Sequence, residues 1–258
     1  MTGKYLRFAA LRFVIGMLAA CYALPRPAIA QTGTASECTV PTDLVQDDPL
    51  LPATTQKLRA KQPLTILAIG GSSTLGEAAG SVDQAYPRML ELALRRRFPG
   101  NDITVVNKGV AGQTSEQMVD RFSRDIVPAA PSLVIWETGT EEAVKGAEVD
   151  EFAQTLQSGI AILHAKHIDV MLIDMQFSQD TASVINFEPY LKAMSQVGDV
   201  EEAYVFRRFD IMKYWNDNDV FRFDDVEKKD RKALAAKVYA CLGDLLANAI
   251  VYAARPEE

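Results

Sequence analysis

The chain has 258 residues, 48% of them hydrophobic and 24% charged, with a formal net charge of −7. That balance describes a globular protein with one domain of ordinary size and a sizeable core. It excludes a nucleic-acid partner, which needs a basic face, and nothing in the sequence calls for a cofactor or a metal.

Residues 1–30 have the form of a signal peptide. Lys4, Arg7 and Arg12 are basic, "FVIGMLAACYAL" is apolar but too short to span a bilayer, and Ala28-Ile29-Ala30 offers a cleavage site. Export to the periplasm is expected, with a mature chain from about Gln31 and no transmembrane helix within it. The alternative is a lipoprotein box, "LAAC", which would anchor the chain by a lipid on Cys21; Pro25 and Pro27 fit an ordinary signal sequence better.

Residues 31–62 are polar, proline-punctuated and without clear period, and read as an arm or linker before a domain at 63–254. In that domain apolar runs predict strands at 64–70, 103–107, 133–137, 170–175 and 204–206. Helical spacing predicts helices at 85–98, 115–126, 149–166, 188–197 and 232–254. Continuous apolar strands separated by helices imply an α/β fold: a three-layer α/β/α sandwich around a five-stranded parallel sheet in flavodoxin-like order. Cys38 and Cys241 form an even pair in an oxidising compartment. A disulfide from the arm to the last helix is one reading, and a buried thiol on an apolar stripe is the other.

In open parallel sheets the chemistry sits outside the carboxyl ends of the strands. Ser72, Gly112, Glu141 and Gln176 follow strands one to four and can converge there. His164 and His167, the chain's two histidines, precede strand four and belong at the opposite edge.

Three segments carry a resemblance: "TILAIGGSSTLG", "NKGVAGQTSEQ" and "LVIWETGTEEAVKG", in order on successive strands. Together they resemble the SGNH/GDSL hydrolase family, α/β/α esterases with a serine nucleophile. The resemblance makes Ser72 the catalytic serine and Gly112 a backbone donor to the oxyanion. It places Glu141 where the family has the oxyanion-hole asparagine. The family's Asp-x-x-His pair, which precedes the last helix, falls on Asp230 and Ala233, or in the other register on Asp224 and Glu227. In both registers the acid is kept and the histidine is not.

Magnitudes decide what this departure means. Loss of the histidine costs roughly four to six orders of magnitude in turnover, and loss of one oxyanion donor costs about two to three. The Glu141 carboxylate near a developing oxyanion adds repulsion of up to about 4 kcal/mol at an effective dielectric near 20. The expectation is a catalytically impaired exported protein whose cleft binds an envelope glycan, an acyl group or a partner. The alternative is an active ester hydrolase in which a carboxylate (Glu141, Glu142 or Glu227) assists Ser72 on a small-molecule ester.

Overall fold

The computed structural model describes Thr2, residues 38–224 and residues 226–255. The expected signal peptide, Cys21 and the expected cleavage site near Gln31 lie outside the described residues.

Among the described residues the first α-helix, α1 (Pro52–Arg59), leads into strand β1 (Leu64–Gly70). There follow α2 (Ser72–Leu75), α3 (Tyr86–Arg97), β2 (Ile103–Gly109), α4 (Ser115–Val119) and α5 (Phe122–Asp125). The second half carries β3 (Leu133–Glu137), α6 (Thr140–Lys145), α7 (Val149–His164), β4 (Asp169–Ile173) and α8 (Gln179–Val184). It closes with α9 (Glu188–Glu201), β5 (Tyr204–Phe206), α10 (Arg208–Asp217) and α11 (Arg231–Ala253).

The five strands are all parallel, in the order β2-β1-β3-β4-β5. Successive side chains of a strand point to opposite faces, and the inner strands β1, β3 and β4 are buried on both. Leu64 and Ile66 of β1 join one core with Leu90 of α3, Ile211 of α10 and Leu246 of α11. Leu67 and Ile69 join the other, with Phe122 of α5, Leu156 of α7 and Met194 of α9. This is the three-layer α/β/α arrangement expected from the apolar runs. Helix α11 is long and apolar enough to cross a bilayer by composition, yet most of its apolar side chains, Leu242, Leu246 and Ile250 among them, are core residues here.

From Cys38 on, the stretch read as an arm is built onto this domain. Leu51 and Leu58 are buried in the first core, and the Leu51 N–H donates to the Ala253 carbonyl at 3.1 Å. Cys38 and Cys241 form a disulfide that joins segments 203 residues apart in sequence. Helix α1 has no capping side chain of its own. Its free N–H groups at Ala53 and Thr54 donate instead to the carboxylate of Asp169, the first residue of β4 (3.2 and 2.7 Å). The expected helix at 115–126 is broken at Arg121, whose guanidinium turns inward to Asp125 and to the Lys108 carbonyl.

Candidate active-site cleft

The strand β1 ends at Gly70 and the chain turns at once into α2, whose first residue is Ser72. The turn is held from below by one carboxylate. Glu137, at the end of β3, accepts from the Gly71 N–H (3.1 Å), the Thr74 N–H (3.3 Å) and the Thr74 hydroxyl (2.7 Å) through Oε2. Its Oε1 pairs with Arg208 Nη2 at 3.2 Å. Both side chains are buried, Arg208 being 2% exposed. A Cβ on Gly70 would stand 2.2 Å from Thr74 Oγ1 and 2.7 Å from Glu137 Oε2, so no larger residue fits.

Proton directions follow from the partners. Thr74 gives its one hydroxyl proton to Glu137, so the Tyr86 hydroxyl, 2.9 Å from Thr74 Oγ1, is a donor. Burial, with the charge of Glu137, drives the Tyr86 phenol well above its ordinary range and keeps that proton in place. On the far side of Arg208, Asp174 accepts from the Phe209 N–H at 2.8 Å. Burial pushes its carboxyl up to about 7, against the pull of that bond and of Arg208.

Above this support lies a small cleft of about 120 Å³, lined by Ser72, Gln113, Met118, Thr138, Glu141 and Gln176 among others. Glu141 Oε2 is 3.4 Å from Lys145 Nζ, which also donates to the Gly112 carbonyl at 3.5 Å. The loops after four strands thus meet at the carboxyl edge of the sheet, as the strand order dictates. A larger hollow of about 950 Å³ lies elsewhere, lined by His164, His167, Asp169 and other residues at the amino edge. It contains neither Ser72 nor any residue of the loops that converge on it.

Residues 37–256 match the non-GDSL lipase-like family. The chain belongs to that family. Over 134 residues it is 28% identical to Esterase TesA of Pseudomonas aeruginosa, a match covering 52% of this chain and 62% of TesA. It therefore spans less than two thirds of that relative. Among solved structures it is similar to a lipolytic protein of the G-D-S-L family from Desulfitobacterium hafniense (20% identity, TM-score 0.55, 72% of this chain and 98% of that one). It is also similar to a single-substitution variant of Axe2, an acetyl-xylooligosaccharide esterase from Geobacillus stearmophilus (17% identity, TM-score 0.57, 75% and 95%). At these identities the two structures share the fold. The resemblance to SGNH/GDSL hydrolases carried by the three motifs is right at the level of the family.

Against the family's pattern, the expected residues divide into two groups. Ser72 and Glu141 line one cleft, and Gly112 is tied to it through Lys145. Asp230 and Ala233 do not line it; Asp230 is the residue before α11 and Ala233 is exposed in that helix's first turn. In the other register, Asp224 accepts from the N–H groups of Gln179 and Asp180 (3.3 Å each), and Glu227 pairs at the surface with Lys229. Glu142 is buried outside the cleft, where its carboxylate accepts from the Ser115 N–H at the start of α4. Among the described residues no three His, Cys, Asp or Glu side chains are grouped to hold a metal ion.

Sequence reasoning missed the support of the turn. A glutamate ending the otherwise apolar run "LVIWE" was its one available signal. Arg208, in "FRRFD", had none, because its partner lies 71 residues away.

Proposed function

We propose that this member of the non-GDSL lipase-like family is an exported binding protein. It has kept the cleft of an ester hydrolase and lost serine-esterase turnover. One observation carries the reading: the cleft that holds Ser72 is lined by no imidazole, and the chain's two histidines lie at the other end of the strands. A serine hydroxyl without a base is a poor nucleophile at neutral pH. The oxyanion side is altered in the same direction, since Glu141 brings acceptor oxygens where a donor is needed.

The disulfide supports export, because such bonds persist in oxidising compartments. A second reading, hydrolysis with a carboxylate in place of the histidine, draws on the name of Esterase TesA. Against it, the one carboxylate at the cleft that is not committed to the turn, Glu141, is paired with Lys145.

The deciding experiment is hydrolysis of p-nitrophenyl acetate by the purified chain beside its Ser72→Ala variant. Equal rates are expected. Brisk turnover that vanishes in Ser72→Ala overturns the reading in favour of an active esterase.

A further inference from the structure

Gln113 lines the cleft beside Ser72, and one end of its amide is already used. Arg121 Nε stands 2.7 Å from Gln113 Oε1. A guanidinium only donates, so the atom it meets must be the amide oxygen. Arg121 cannot turn away: its Nη1 is 2.7 Å from Asp125 Oδ2 and its Nη2 donates to the Lys108 carbonyl at 2.9 Å, all in a buried position. Hydrogen bonds from Arg124 and then Arg121 hold the Asp125 carboxyl well below the usual range, so this anchor stays charged. With Oε1 fixed, Gln113 Nε2 donates to no protein group among the described residues. Gln176, across the cleft, takes the Ser73 hydroxyl on its own Oε1 at 3.2 Å, and its amide nitrogen is likewise uncommitted.

The rest of the lining asks for the same kind of partner. The hydroxyls of Thr138 and Thr140 are buried without a protein partner, and both residues border the cleft. The polar side chains of Ser72, Thr138, Thr140 and Glu141 make up much of the remaining wall, so the cleft suits a ligand rich in hydrogen-bonding groups. Met118 is the one apolar side chain larger than glycine in the lining. Sites that swallow a drug-sized apolar molecule run to roughly 300–1,000 Å³, against about 120 Å³ here. An acyl chain therefore finds neither room nor apolar wall. Glu141 disfavours an anion, and its pairing with Lys145 leaves it little to offer a cation.

We infer that the ligand is a neutral carbohydrate, inserted by one hydroxyl-bearing edge, and that Gln113 is its specificity-determining donor, positioned by Arg121. This rests on the binding reading above and narrows its ligand to one class. Sugar hydroxyls accept from the two amide nitrogens and donate to the Glu141 carboxylate.

The test uses Gln113→Glu. This change keeps an acceptor for Arg121, so the fold and melting temperature should hold, but it replaces the cleft's N–H donor by an oxygen. Cellotriose and N,N′-diacetylchitobiose are titrated into labelled protein by NMR, with octanoate as the acyl comparator. One of the two saccharides is expected to bind and to shift the Gln113 side-chain amide resonance, identified by its absence in the variant. Gln113→Glu should weaken that binding at least about tenfold, the worth of one lost hydrogen bond. The inference falls if neither saccharide binds at about 10 mM, if octanoate binds instead, or if Gln113→Glu binds saccharide unchanged. Ester hydrolysis measured on the same preparations is a separate outcome: turnover with Gln113-dependent saccharide binding sinks the non-hydrolytic reading and leaves this inference standing.

Discussion

Lys145 reaches back one helical turn to Glu141, its Nζ 3.4 Å from Oε2, and the same ammonium touches the Gly112 carbonyl at 3.5 Å. The pair joins the second and third strand-end loops across the mouth of the cleft. It also means that removing Glu141 leaves the Lys145 cation without its carboxylate at the edge of the cleft. Glu141→Asn alone therefore improves the electrostatics of the site without supplying a base.

We expect Glu141→Asn alone to leave p-nitrophenyl acetate hydrolysis at the level of Ser72→Ala. Adding Ala233→His, beside Asp230, should leave it there as well, because neither residue lines the cleft that holds Ser72. Placing the histidine at Glu227 tests the other register. Steady-state rates of the three variants decide it, and no gain from either histidine would mean that the loop before α11 no longer delivers a base to Ser72.

The buried Glu137–Arg208 pair makes a stability prediction. Arg208→Met leaves a buried carboxylate without its cation and should cost about 3–5 kcal/mol in urea unfolding. The double variant Glu137→Gln, Arg208→Met should recover much of that loss. A single variant as stable as wild type would show that the pair is not what holds the turn.

Asp174 predicts a pH dependence of definite sign. Its carboxyl is raised by burial to about 7, above the value of about 4 for an unfolded aspartate. Between those values the folded state binds a proton that the unfolded state has released, so stability falls as pH rises from about 4 to about 7. Asp174→Asn, which can still accept from the Phe209 N–H, should remove this slope and gain stability over wild type at alkaline pH. Unfolding midpoints across that range give the readout; parallel pH profiles for the two proteins would refute it.

Replacing both Cys38 and Cys241 by serine should cost about 2–5 kcal/mol, since the bond closes a very long loop. Exported protein should show neither thiol to an alkylating reagent before reduction. N-terminal sequencing of the same material is expected to begin near Gln31; a start at a lipidated Cys21 would favour an anchored protein.

Much of the fold was legible because the inner strands are buried on both faces. Runs such as Ile66–Ile69 and Leu133–Trp136 can only be buried from two sides, and four of the five expected strand segments lie wholly within the observed ones. What escaped was non-local. Helix α1 has no local cap and depends on Asp169, more than a hundred residues on. The break at Arg121 reflects a buried partner rather than a helix-breaking residue. In the cleft, Ser72 and Glu141 could be placed by counting from strand ends, since the sheet order fixes which loops converge. The roles of Glu137 and Gln113 could not, because the partners that define them, the Ser72 turn and Arg208 for Glu137 and the inward-turned Arg121 for Gln113, are set by the folded structure.

The carboxylate of Glu137 has a consequence for how such a chain can change over time. The groups that shape the Ser72 turn are Glu137, Thr74, Tyr86 and Arg208, and none of them occupies the positions where this family keeps its base. Selection on folding and selection on turnover therefore act on separate residues. A lineage released from the second can discard a histidine or an asparagine while the first preserves the serine's setting unaltered, leaving a shaped recess open to recruitment for another task.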